Sequence, residues 1–181
     1  MLQIRTLLTF TLWCGALTIS VFVWAADQTT GKPAASSTRG LTEFAASKGV
    51  KTCLKRMEQV NNFVVKNNKA GAYVFLPPGD VNKKIVSTSL EVYSNANAAS
   101  FYASTSVVPT STNDCSIVYD AVSYRSMSCE KVKKEEFGNY KFSGVVAKNI
   151  QIVTRDEKQP NARVFLMPAG AGCVVINKEV I

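Results

Sequence analysis

Ser128 and Lys131 have the spacing of a catalytic pair. They match the pattern Ser-x-x-Lys, in which a nucleophile and a base stand one helical turn apart. A hydrolase of this kind needs a buried lysine with a lowered pKa. The surrounding stretch, SCEKVKKEE at 128–136, is highly charged, which is typical of a solvated surface. A Ser/Lys hydrolase is therefore the last of three functional hypotheses for this chain.

Other catalytic designs are limited by composition, because the 181 residues include no histidine. This excludes Ser-His-Asp triads, Cys-His pairs and zinc sites built on imidazole. No cysteine pair has the CxxC spacing of a metal site, and no loop alternates Asp and Asn as a calcium loop does. The sequence predicts no metal site and no cofactor, and it favours a function other than catalysis.

The stretch GAGC at 170–173 could be a phosphate loop, a reactive cysteine site or a turn. A phosphate loop leads into a helix whose amides meet the anion, whereas a β-branched run, CVVI, follows here. Pro168 is expected to end the preceding strand, and Gly170 and Gly172 tolerate positive φ. The pattern therefore predicts a hairpin turn, with Cys173 at the start of the last strand.

The N-terminus carries a targeting signal. Arg5 precedes an uncharged run from Thr6 to Ala26, and Val23 and Ala25 suit the −3 and −1 positions of a cleavage site. Residues 1–25 are interpreted as a secretory signal peptide. The run is also long enough for an uncleaved anchor, at about 30 Å of helix. Both readings export the remaining chain: a flexible tether at 26–40 and a single domain at 41–181.

The exported part contains an even number of cysteines, which favours two disulfides over free thiols. The residues concerned are Cys53, Cys115, Cys129 and Cys173. Three pairings are possible, and the sequence does not prove one of them. We favour a local Cys115–Cys129 bridge, with Cys53–Cys173 joining the helical part to the last strand.

A helix is predicted between residues 41 and 66. Its apolar stripe, with spacings of three and four, consists of Val50, Cys53, Leu54, Met57, Val60, Asn61 and Val64. Gly49 weakens helix formation, so a short first turn at 41–47 and a main helix from about residue 50 are expected. The repeat is too short for a coiled coil, and a helix lying on a sheet explains it better.

Beyond Lys84 the pattern changes to period two. Strands are expected in the following stretches: 85–94, 99–108, 115–126, 145–154, 162–167 and 173–180. SNAN at 94–97 suits a hairpin connection. Short connections favour an α+β fold, in which one N-terminal amphipathic helix packs on a mainly antiparallel meander of five to six strands.

Basic and aromatic residues supply the candidate binding site. Lysines and arginines outnumber acidic residues 21 to 13, for a net charge of +8. The helix carries Lys48, Lys51, Lys55 and Arg56, and Tyr93, Tyr102 and Tyr124 are expected on an exposed sheet face. Basic groups with aromatic rings suit nucleic acid, anionic lipid headgroups or acidic glycans.

Two C-terminal stretches, CSIVYDAVSY…SC and RVFLMPAGAGCVVINKEV, resemble small exported proteins of Gram-negative bacteria that carry two disulfides. The resemblance covers the C-terminal third to half of the chain. It implies a location outside the cytoplasm and no particular activity.

The first hypothesis is a non-enzymatic periplasmic or secreted domain that binds another macromolecule, an envelope protein, through a sheet face or an edge strand. If the N-terminal segment is uncleaved, the domain is anchored to the inner membrane and lies in the periplasm. The second hypothesis is a polyanion binder that uses the helix lysines.

Overall fold

A computed structural model describes residues 38–93, 99–110, 114–155 and 160–181. The predicted signal peptide or anchor at 1–25, the tether up to residue 37 and the hairpin connection at 94–97 lie outside these residues. In the part of the chain that is described, no helix is both long enough and apolar enough to cross a membrane.

The described residues form three helices and one eight-stranded sheet. In chain order the elements are α1 Thr38–Ser47, α2 Leu54–Val65, β1 Lys69–Phe75, β2 Val86–Tyr93, β3 Ser100–Pro109, β4 Cys115–Arg125, α3 Cys129–Glu136, β5 Lys141–Val146, β6 Ile150–Thr154, β7 Ala162–Ala169 and β8 Gly172–Val180. The strand order is β1-β2-β3-β4-β8-β7-β6-β5, and all neighbours are antiparallel. The α+β class is confirmed, but the prediction of one helix and five to six strands was too low.

The additional strands arise where the period-two pattern is short or interrupted. The apolar run at 73–75 is the end of β1, which pairs with β2 over its whole length. The stretch 145–154 was expected to be one strand, but Ala147 has a φ of +53° and the chain reverses there. β5 and β6 therefore form a hairpin in place of one long strand.

The predicted helical stretch is two helices. α1 begins at Thr38, inside the segment expected to be tether, and the chain turns at Gly49, where φ is +89°. The break extends to Cys53, because Asn82 binds the connecting backbone: its Oδ1 accepts from the amides of Lys51 and Thr52, at 2.7 and 3.1 Å. The predicted stripe is confirmed, since all of its members except the half-buried Leu54 are buried.

Two hydrophobic cores lie on the same face of the sheet. The first is formed by α1, α2 and strands β1 to β4, and the second by α3 and strands β6 to β8. Directly paired residues of neighbouring strands point to the same side. The register Ala103↔Ala121↔Asn177↔Val164↔Val153 therefore places both cores on one side, which we call the helix face.

The disulfides are Cys53–Cys115 and Cys129–Cys173, with Cα atoms 5.8 and 4.9 Å apart. The count of two is confirmed, but the favoured pairing was wrong. Cys115 begins β4 and Cys129 follows its end, and a strand of 11 residues spans about 35 Å. A disulfide needs Cα atoms within about 7 Å, so Cys115 and Cys129 are too far apart to bond. Cys115 instead bonds Cys53 near the start of β4, and Cys129 bonds Cys173 near its end.

The GAGC stretch is a hairpin turn between β7 and β8, as predicted. Gly170 has a φ of +58°, a conformation that favours glycine. Pro168 was expected to end β7, but this prediction was wrong, since Pro168 pairs with Cys173 inside the ladder.

Candidate functional site

The sheet side opposite the helix face, called here the open face, carries no described helix. A row of directly paired residues crosses it in the order Glu91, Tyr102, Val122, Ile176, Phe165 and Ile152. The four apolar residues after Tyr102 are only half buried. The open face therefore has an apolar band across the middle of the sheet, flanked on one side by the polar row Ser104, Asp120, Lys178 and Arg163.

Tyr93, Tyr102 and Tyr124 lie on the open face, as the alternation predicted. Tyr102 is 48 % exposed and Tyr124 is 57 % exposed. Hydrogen bonds hold two of the rings: the hydroxyl of Tyr102 is 2.9 Å from Ser89 Oγ, and Tyr93 donates to Glu91 Oε2 at 2.6 Å. This bond to the Glu91 carboxylate raises the pKa of Tyr93 above its ordinary value.

Gly172, which was predicted only as part of a turn, positions the ring of Tyr124. A Cβ atom at Gly172 would lie 2.1 Å from the hydroxyl oxygen of Tyr124 and 2.5 Å from the carbonyl oxygen of Arg125. No larger residue fits there without movement of the ring and the backbone. The tyrosine–glycine contact could not be found from spacing, since it depends on the register of β4 with β8.

A depression of about 510 Å³ lies between Tyr102 and Tyr124 on the open face. Val122 and Val174 also line it, together with Glu91 and Ser100. Val122 and Val174 are half buried and supply the apolar floor of the depression. The depression therefore suits an apolar side chain held between two aromatic rings.

The basic half of the predicted site lies on the other side of the sheet. Asn61 of α2 accepts a hydrogen bond from Thr105, so α2 lies against the helix face, while Tyr102 points to the open face. Lys48, Lys51 and Lys55 are exposed on this helical layer, and Arg56 is half buried and bonds Gln59 at 3.4 Å. The structure does not bring the lysines and the tyrosines into one surface.

Ser128 and Lys131 form a helix cap and a surface ion pair. The Ser128 hydroxyl oxygen accepts from the backbone amide of Lys131, which caps α3. The Lys131 ammonium lies 3.8 Å from Glu135 and is largely exposed. This geometry lacks the buried lysine that a Ser/Lys hydrolase needs. Across the described residues, no three Cys, Asp or Glu side chains cluster as a metal site.

A second concavity, of about 430 Å³, lies on the helix face between the two cores. Phe63, Tyr140 and Arg155 are among the residues that line it. At its side Tyr119 donates a hydrogen bond to Glu179 Oε2 at 2.8 Å. The Glu179 carboxylate of this cleft therefore already has an internal partner.

The open face combines fixed aromatic rings, an apolar floor and charges of both signs. Asp120 and Lys178 pair on it at 2.9 Å and so cancel one another. Such a combination of side chains can contact the surface of another protein. Comparison of the chain with protein-family models, curated proteins and solved structures gives no match.

Proposed function

We propose that this protein is a non-enzymatic domain that binds another protein outside the cytoplasm, through the open face of its sheet. Its two disulfides indicate an oxidising, extracytoplasmic compartment. In this proposal the protein is periplasmic or secreted. Alternatively, it is anchored to the inner membrane and its domain lies in the periplasm. The partner is an envelope or secreted protein.

The depression between Tyr102 and Tyr124 is the observation that carries this proposal. Binding energy at protein interfaces is concentrated in a few buried anchors, and tyrosine is enriched among them. The hydroxyl of Tyr102 bonds Ser89, and the ring of Tyr124 lies against Gly172, so both rings are positioned before a partner arrives. Rings held in place lose little conformational entropy on binding.

The partner that fits presents an apolar side chain to this depression within a mostly uncharged contact. The ion pair of Asp120 with Lys178 balances two charges beside the apolar band, and Glu91, which lines the depression, accepts a hydrogen bond from Tyr93. Nucleic acid and other polyanions need a basic surface beside the stacked rings, and the lysine cluster lies on the other side of the sheet.

The proposal is tested by capture on the immobilised, oxidised full-length chain, with an extract of exported proteins from the same organism. We expect one protein to remain bound at about 0.5 M salt, where exposed charge pairs are screened. Replacement of both Tyr102 and Tyr124 by alanine should weaken its binding at least thirtyfold, about 2 kcal/mol.

Phe63→Ala is the matched control, because it removes an equally exposed aromatic ring from the helix side. A protein that binds wild type and the Phe63 variant alike, but not the tyrosine variant, supports the proposal. Retention that ignores Tyr102 and Tyr124 contradicts it.

A polyanion binder remains the second candidate, because Lys48, Lys51 and Lys55 are exposed and make no ion pair with a described acidic residue. In the same experiment this candidate predicts release of nucleic acid, anionic lipid or acidic glycan at low salt. Replacing Lys51, Lys55 and Arg56 together would then lower the affinity and flatten its salt dependence. A Ser128→Ala variant tests the hydrolase, since full activity would exclude Ser128 as nucleophile.

A further inference from the structure

The strand β5 forms one edge of the sheet, and among the described residues it pairs with β6 only. An edge strand presents unpaired N–H and C=O groups along its outer side. At the other edge, α1 packs against β1, and Pro77 and Pro78 follow the strand. Against β5 no described helix packs to the same extent, although Lys133 of α3 lies over the Phe142 ring, so β5 is the more open of the two edges.

Three of the six residues of β5 have large apolar side chains that are exposed, which is unusual for an edge strand. Phe142 is 54 % exposed, Val145 is 45 % exposed and Val146 is 44 % exposed. A bulge lies between Phe142 and Gly144, and the strand pairs regularly from Gly144 to Val146. Gly144 has a φ of +144°, so Val145 and Val146, beyond the bulge, are the part of the outer side that continues the regular ladder and can pair with a further strand.

A groove of about 410 Å³ runs beside this edge, between α3 and β5. Phe142 and Val145 supply its apolar part, while Lys133 and Lys148 supply positive charge. The Lys133 ammonium lies 4.6 Å from the centre of the Phe142 ring. The acidic residue of the groove, Glu130, already accepts a hydrogen bond from Gln151. Two ammonium groups, on Lys133 and Lys148, line the groove with the one carboxylate of Glu130, so its net charge is positive and attracts carboxylates.

We propose that β5 takes up an extended segment of a partner protein as a ninth strand, and that this segment alternates apolar and acidic residues. Successive side chains of a strand point to opposite faces, so every second residue would enter the groove. The acidic residues would enter it, where they meet Lys133 and Lys148, and the apolar residues would point to the opposite side of the sheet, where Val146 lies. This site lies at the edge of the sheet, away from the tyrosines of the open face, and adds to the proposed function.

Charge also decides against a second copy of the same chain in this position. Two β5 strands side by side would bring Lys133 and Lys148 of both copies towards one another, and like charges across an interface cost affinity. An acidic segment removes that repulsion. Pairing of the backbone supplies affinity, and the groove supplies specificity.

The probe is a blocked peptide of about six residues in which valine and glutamate alternate. Its binding to the oxidised full-length chain is measured by fluorescence anisotropy, together with hydrogen exchange of the amides of β5. We expect binding that protects residues 144–146. Charge reversal with Lys133→Glu and Lys148→Glu should raise Kd at least tenfold. The Tyr102→Ala, Tyr124→Ala variant should bind the peptide as wild type does.

Two control peptides keep the test independent of any variant. A valine–lysine peptide should bind at least tenfold more weakly, and a valine–glutamate peptide with N-methylated backbone amides should lose the protection of β5. Equal affinity for both charges, protection outside β5, or a dimer of the chain that masks β5 would each overturn the proposal.

Discussion

Asn61, Thr88 and Thr105 form a polar cluster inside the first core. Thr105 Oγ1 donates to Asn61 Oδ1 at 3.1 Å, and its oxygen is also in hydrogen-bond contact with Thr88 Oγ1. Asn61 is fully buried, yet its Nδ2 has no hydrogen-bond partner among the described residues. Thr105 therefore holds the cluster together, while Asn61 leaves a buried donor unsatisfied.

This difference predicts that substitutions at Thr105 and at Asn61 change stability by different amounts. Thr105→Val leaves Thr88 and Asn61 buried without their shared partner, so we expect a loss of about 1–3 kcal/mol of unfolding free energy. Asn61→Leu removes the unsatisfied donor and leaves the threonine pair intact, so its effect should stay within about 1 kcal/mol. Urea unfolding curves measure both, with Ser104→Ala on the open face as control. An Asn61 variant as unstable as the Thr105 variant would refute this account.

At the level of elements, α3 depends on its disulfide more than on its packing. The helix has 8 residues, and only Cys129 and Val132 are buried. A helix this short is marginal in water without tertiary contacts. The bond of Cys129 to Cys173 closes a separation of 44 residues, which a chain-entropy estimate values at about 4 kcal/mol.

Removing this bridge with Cys129→Ala and Cys173→Ala should release α3 before the sheet unfolds. We expect the amides of α3 to lose most of their protection from hydrogen exchange, while those of β2 and β3 keep theirs. The matched control is Cys53→Ala with Cys115→Ala, which should loosen α2 and leave α3 protected. Equal loosening of α2 and α3 in both variants would contradict the idea that each bridge fixes its own helix.

For the whole molecule, the sequence predicts local periodicity better than long-range pairing. The stripe of α2 and the alternation of β2 and β3 follow from spacing alone, and so does the placement of Tyr102 on an exposed face. The disulfide partners, the position of Gly172 under Tyr124 and the separation of lysines from tyrosines depend on register and on which side α2 packs. Those are set by tertiary contacts, on which a local pattern carries no information.

The two cores meet along the β4–β8 ladder, and Tyr119 bonds Glu179 across this junction. Burial, the hydrogen bond to Glu179 and the charge of that carboxylate all raise the pKa of Tyr119 above its ordinary value near 10. The folded chain therefore keeps a proton that the unfolded chain loses at alkaline pH. Stability from this group is complete below about pH 10 and declines as pH rises further.

We therefore expect Tyr119→Phe to cost about 1 kcal/mol at neutral pH, through the lost hydrogen bond. The variant has no ionisable hydroxyl at this position, so its disadvantage should shrink as the wild type loses stability above about pH 10. Urea unfolding from about pH 8 to about pH 11 measures both trends. Glu179→Gln keeps an acceptor but removes the charge, so its stability should fall less steeply with pH than that of the wild type. A constant difference between wild type and Tyr119→Phe at every pH would show that the junction does not depend on this proton.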